Sequence, residues 1–245
     1  MNPLKTKLEA FTRLSDEDRA AIDRAVCRNV RDFAARRDLA REGDRPRAIY
    51  VMLEGWACRY KTLPDGRRQV VAFFVPGDLC DLNVFILKQM DHNVGAITAV
   101  RTAEIDRDEF ERMTEAHPRI TQALWWNELV NVAVQREWTL NVGQRTAYER
   151  ISHLICEMFL RLRTVGLTRG DSCDFPITQV DIGDATGLTS VHVNRTLKQL
   201  REEGLIEVNR RSLTIHDLPG LRQAAMFNDN YLHLDGEGRH LDANG

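Results

Sequence analysis

The run Ile177–Val208, "ITQVDIGDATGLTSVHVNRTLKQLREEGLIEV", decides how the rest of the chain is read. Thr178 followed by Asp181 is a capping signal for one helix. Thr189 precedes a second helix that runs to about Glu203, where Gly204 stops it. Gly187 supplies a bend between them. Two helices joined by a short glycine-containing turn form a helix-turn-helix. The residues that follow, "LIEVNRRSLTIHD", place two β-type runs around Asn209-Arg210-Arg211-Ser212. That is a hairpin, and it makes the unit a winged helix.

Turning the second helix by ~100° per residue separates two faces. Val193, Thr196, Leu197 and Leu200 fall on one side and form the expected core face. Val191, Arg195, Lys198 and Glu202 fall on the other, flanked by Asn194 and Gln199. A valine among charges is unusual for a solvated face, and it has a purpose if the helix enters a major groove. Arg195 suits a bidentate bond to guanine, Asn194 suits adenine, and Val191 can pack on a thymine methyl. Ser190, His192 and Lys198 are expected at phosphates, together with Arg210 and Arg211 on the wing. Thr178 and Thr189, at the two helix starts, belong to the same expected DNA surface.

Upstream the texture differs. From about Val30 to Ile105 short β-type runs alternate with turn signals: "AIYVML", "WACRYKT" before "LPDG", "RRQVVAFFV" before "PGD", then "VGAITAV" and "TAEID". Strands at this spacing indicate an antiparallel sandwich or barrel. Ser15 and Asp18 cap a short helix ahead of it. After Asp106 the pattern turns helical, and Pro118 opens "RITQALWWNELVNVAVQREWTLNV", more than twenty residues rich in large apolar side chains. That load is too wide for one stripe, so one face is expected on the β-domain and another on a dimer seam carrying Ile120, Leu124, Val130, Val134 and Trp138. Gly143 is expected to interrupt this helix, and Thr146 with Glu149 to cap the next. The expected fold is α+β: an antiparallel, jelly-roll-like β-domain with flanking helices (1–117), a long dimerisation helix (118–143), a winged helix-turn-helix (144–220) and a polar tail (221–245) whose "DGEGRHLDANG" end is expected to fray.

The totals set limits. The chain has 245 residues, 43% hydrophobic and 29% charged, with a net charge of -2. These values suit a soluble globular protein and give no global sign of a nucleic-acid partner, so that case rests on the local pattern. No apolar run reaches a membrane span and no signal peptide is evident at the amino terminus, so a cytoplasmic location is expected. The five cysteines are dispersed without C-x-x-C spacing, which speaks against a disulfide framework or a local metal site. Inert buried thiols are expected, with Cys80 the favoured position for any redox-sensing thiol because it follows a turn. An enzyme is not expected: the β-domain offers only His92 for a metal, and neither a nucleophile–base pair nor a P-loop is evident. No cofactor is expected.

The run at 177–208 resembles the DNA-binding motif of the Crp/Fnr superfamily of bacterial transcription regulators. "VMLEGWACRYKTLPDGRRQVVAFFVPGDLCDL" is similar to the sensor β-roll of the same family. The resemblance spans roughly Leu14 to Asp217. It implies a homodimer reading a palindrome on double-stranded DNA, with RNA polymerase as a further partner. A glycine–glutamate pair and an arginine–serine pair hold the nucleotide in the cyclic-nucleotide-binding members. Here Cys80-Asp81 and Val94-Gly95 stand in their places, near Gly77 and Asp78. With no arginine at those positions, loss of cyclic-AMP binding is expected, and any effector is unknown. The recognition helix departs as well, since Val191 stands where many members carry glutamate. The alternative is a ligand-binding module of the cyclic-nucleotide type that docks a protein partner.

Overall fold

The computed structural model describes residues 2–82, 84–234 and 236. Asn2 caps α1 (Pro3–Glu9), which the sequence reading missed because seven residues carry little periodicity. Its Leu4 and Leu8, one turn apart, are buried. Ser15 and Asp18 form the expected reciprocal cap of α2 (Asp16–Cys27).

The β-roll follows as β1 (Val30–Phe33), β2 (Asp38–Ala40), β3 (Ile49–Glu54), β4 (Ala57–Thr62), β5 (Arg68–Phe74), β6 (Asn93–Ala96) and β7 (Val100–Ile105). Two antiparallel sheets result, in the orders β1-β7-β3 and β2-β6-β4-β5. The Pro64-Asp65-Gly66 turn joins β4 to β5 as expected, closed by the Leu63 N–H on the Arg67 carbonyl at 2.8 Å. "VGAITAV", expected as one strand, is divided between β6 and β7. The Trp56 N–H donates to the Thr98 hydroxyl at 2.9 Å, and the Trp56 carbonyl accepts the Ile97 N–H, so the intervening residues are held as a turn.

Asp106 caps α3 (Arg107–Ala116), and Pro118 begins α4 (Pro118–Gln144). Gly143 does not interrupt α4, which continues to Gln144. A single glycine costs a helix only about 1 kcal/mol. Arg145 is the first extended residue, and Thr146 with Glu149 caps α5 (Ala147–Thr164). The winged unit then comprises β8 (Thr168–Arg169), β9 (Ser172–Asp174), α6 (Gln179–Thr186), α7 (Ser190–Glu202), β10 (Ile206–Asn209) and β11 (Ser212–Ile215). Its sheet runs β10-β11-β9-β8, so the wing hairpin is widened by two short strands not anticipated from sequence.

The expected seam residues on α4 lie elsewhere. Ile120 and Leu124 are buried with α1, α2, β3 and β7, while Val130, Val134 and Trp138 are buried against β4, β5 and α5. All five belong to the protomer's own core. The apolar side chains that α4 leaves exposed are Trp125 (62% exposed), Leu129 (59%), Val132 (51%), Leu140 and Val142.

The segment after 220 also departs from expectation. The helix α8 (Leu218–Ala224) and a 3-10 turn (Asp229–Leu232) fold back onto α5 and α4, burying Leu221, Phe227, Tyr231 and Leu232. The Tyr231 hydroxyl donates to Glu157 at 3.0 Å. Apart from Gly236, the end expected to fray, "DGEGRHLDANG", lies outside the described residues.

Candidate nucleic-acid interface

Local sequence builds the helix-turn-helix as read. The Thr178 hydroxyl accepts the Asp181 N–H at 3.2 Å, and the Asp181 carboxylate accepts the Thr178 N–H at 2.9 Å. Gly187 takes a left-handed φ of 71° as the carboxy-terminal cap of α6. Gly183 was not singled out in the sequence, although the turn depends on it. A Cβ there would lie 2.5 Å from the Leu188 carbonyl oxygen, so only glycine lets the turn pass this close to α6. The Thr189 hydroxyl accepts the His192 N–H and starts α7. Val193, Thr196, Leu197 and Leu200 are buried, as the helical period requires.

Every residue expected at DNA is exposed: Thr178, Thr189, Ser190, Val191, His192, Asn194, Arg195, Lys198, Arg210 and Arg211. Val191 is 71% exposed. No carboxylate among the described residues forms an ion pair with Arg195, Arg210 or Arg211. Lys198 has a neighbour, Glu202 at 3.4 Å one turn on; both are largely solvated, and such pairs yield readily. Asn194 is held across the motif, donating through Nδ2 to Gln179 Oε1 at 3.2 Å. Gln179, the first residue of α6, was missed because nothing in a linear pattern shows that it faces α7.

The β-roll contains a cavity of about 280 Å³ bounded by Leu39, Arg45, Arg47, Tyr50, Cys80 and Asp81, among others. Of the residues expected at a ligand, Cys80 and Asp81 line it; Gly77, Asp78, Val94 and Gly95 do not. Gly77 is committed to a turn, its N–H on the Met52 carbonyl. Asp78 is paired with Lys7 at 2.6 Å and Arg161 at 2.8 Å. Val94 is wholly buried in β6, and Gly95 packs on Tyr60 and Asp38.

The expectation that arginine is missing here needs correction: no arginine stands at 80–81 or 94–95, but Arg45 and Arg47 line the cavity and Arg59 meets its Asp81. Arg59 Nη2 reaches Asp81 at 2.5 Å, and His92 Nε2 lies 3.1 Å from the same carboxylate. Strand alternation carries the signal, since Arg59 shares a face with the buried Ala57. Burial opposes a charge on His92, but the Asp81 and Asp91 carboxylates outweigh it and raise its pKa. Cys80 is a poor redox candidate: burial, with Asp81 and Asp78 nearby, pushes its thiol well above the ordinary value. Cys27 is the exposed thiol.

Comparison with known proteins agrees with this arrangement. Residues 149–224 match the Crp-like helix-turn-helix domain and residues 30–117 the cyclic nucleotide-binding domain. The nitrogen fixation regulation protein FixK of Bradyrhizobium diazoefficiens is 30% identical over 190 residues, covering 76% of this chain and 77% of the relative. The chain belongs to the Crp/Fnr family. The transcriptional activator protein FnrL of Cereibacter sphaeroides is 26% identical over 217 residues, 87% of this chain and 86% of that one. The structure of FixK2 from Bradyrhizobium japonicum superimposes with a TM-score of 0.72 at 25% identity, covering 80% of this chain and 96% of that one.

As a Crp/Fnr regulator the protein binds DNA and is not an enzyme. No helix among the described residues is long and apolar enough to cross a membrane. Within this Crp/Fnr chain the sensor and the DNA-binding unit are joined directly. Arg36, in the β1–β2 turn, grips Asp181 of α6 with both terminal nitrogens, at 2.7 and 2.9 Å. Gln69 of β5 donates to the Ala185 carbonyl of α6 at 3.2 Å.

Proposed function

We propose that this Crp/Fnr regulator acts as a homodimer that reads a palindromic DNA site, each protomer inserting α7 into the major groove of one half-site. The observation that carries the reading is the exposed face of α7, where Val191 is unburied and Arg195, one turn on, has no carboxylate partner among the described residues. A guanidinium without a carboxylate and an unburied valine suit guanine and the neighbouring thymine methyl. Asn194 takes adenine, while Ser190, His192, Lys198, Arg210 and Arg211 meet phosphates.

The dimer seam is the exposed side of α4. Trp125, Leu129, Val132, Arg136, Thr139 and Gly143 recur at spacings of four and three, the period by which paired helices mesh. RNA polymerase is the further partner through which such a site affects transcription.

Cyclic AMP is not the effector. Val94-Gly95 stands where the cyclic-nucleotide-binding members place the arginine that holds the phosphate, the Arg59 guanidinium is already engaged by Asp81, and the Asp81 carboxylate is unfavourable to a cyclic phosphate. A calorimetric titration with cyclic AMP is expected to be flat; saturable heat at micromolar concentration refutes this part of the reading.

Selection of sites from random DNA tests the whole. The wild type is expected to enrich an inverted repeat, and Val191→Glu to change the preferred base at one position per half-site by ~1–3 kcal/mol. Enrichment of a single unrepeated motif refutes the dimer. An unchanged profile for Val191→Glu removes Val191 from the bases.

A further inference from the structure

Asn194 lies on an exposed helix face, where a lone amide is free to rotate about two side-chain torsions. In this chain it does not stand alone: Gln179 at the amino-terminal end of α6 accepts from it at 3.2 Å. We infer that Gln179 is a positioning residue for base recognition, holding the Asn194 amide in the one orientation that matches adenine. This rests on the reading that Asn194 meets a base.

The chemistry of the amide supports the assignment. Adenine presents N7 as an acceptor and the N6 amino group as a donor, so its partner must offer one N–H and one oxygen along a single edge. An asparagine side chain has two N–H groups and one carbonyl oxygen. The N–H that points away from the oxygen contributes nothing to that edge. A bond from that N–H to Gln179 uses the spare donor, leaves the edge of Oδ1 and the second N–H intact, and fixes which way the edge faces. Fixing it before binding removes rotamer entropy that complex formation would otherwise cost. It also prevents the amide from turning to present its N–H to the O4 acceptor of thymine.

Both residues are exposed, so the bond contributes little to folding, and its consequence lies in discrimination. Gln179 also retains its own amide N–H groups beside the amino terminus of α6, a place where phosphate oxygens are favoured. The two roles separate by experiment.

The test uses the full chain, with selection from random DNA followed by titration of the preferred site and its single-base variants. Asn194→Ala is expected to flatten one base position per half-site. Gln179→Ala is expected to weaken the preference at that same position roughly three- to tenfold, leaving the Arg195-dependent position intact. Gln179→Glu keeps an acceptor for Asn194, so it should retain the preference while weakening binding to all sequences alike through repulsion of phosphate. An even loss of affinity for Gln179→Ala, with an unchanged profile, overturns the positioning role and leaves Gln179 a phosphate contact. A profile unchanged by Asn194→Ala overturns the base-reading role of Asn194, and with it the positioning.

Discussion

At Asp81 the backbone takes a φ of 138°, a value rare for any residue but glycine, and it does so where Arg59 and His92 converge on the carboxylate. Strain of that kind persists only where surrounding contacts hold it. The contacts also make a prediction about pH. With its pKa raised in the fold, His92 adds stability that is complete below the unfolded value near 6.5 and is lost as pH climbs through the folded value. His153 acts in the opposite sense. Burial first, then Arg145, lowers its pKa to about 3, so the stability it confers is present above about 6.5 and fades as pH falls toward 3. Urea midpoints for the wild type are therefore expected to peak near pH 6–7. In His92→Gln the decline on the alkaline side should flatten while the acid limb stays; an unchanged alkaline limb refutes the role given to His92. Arg195 and Arg59 show which residues sequence can reveal. Arg195 is placed by a helix whose caps and period are all local, whereas the role of Arg59 depends on a residue 22 positions away meeting it inside the roll.

Helix α4 illustrates the same limit at the scale of an element. Its existence and length followed from an unbroken apolar run opened by proline, and its end fell one residue beyond the expected boundary. Which face it buries did not follow, because apolar side chains surround the helix and leave no single stripe for periodicity to find. The roll, α5 and α1 choose the buried face by contact, and those partners come from distant parts of the sequence. Helix-turn-helix faces were legible for the opposite reason, since α7 is strongly two-sided and its caps are adjacent in sequence. The two faces of α4 predict two different mutant behaviours. Leu129→Glu, on the exposed stripe, should leave the protomer folded yet shift it to monomer in sedimentation at micromolar concentration, with weaker DNA binding. Val134→Ala, on the buried face, should keep the oligomeric state and cost about 2 kcal/mol of stability. Were Leu129→Glu to sediment as the wild type does, the seam would lie elsewhere.

Across the whole molecule, buried charge connects parts that sequence order separates. Lys7 and Arg161 share Asp78, Arg161 also pairs with Glu157 at 3.2 Å, and Glu157 accepts from Trp138 and Tyr231. The chain of contacts runs from α1 through the roll and α5 to the carboxy-terminal segment, which explains why 221–234 folds back although its composition resembles a tail. The Arg36–Asp181 contact is a second such joint and the more informative to break. Asp181 is 2% exposed and already accepts from Thr178, so without Arg36 its charge loses its only cationic partner among the described residues. Arg36 itself is about half solvated, which limits the effect to about 1 kcal/mol. Arg36→Ala is expected to lower the melting temperature by about 2–4 °C. Hydrogen exchange locates the loss: amides of α6 should exchange faster, while those of β3 and β7 remain as protected as in the wild type. Arg36→Lys keeps the charge but not the two-pronged geometry, and should recover only part of the difference. Equal exchange of α6 in wild type and Arg36→Ala would show that packing of β5 on α6, not the ion pair, holds the DNA-binding unit to the sensor.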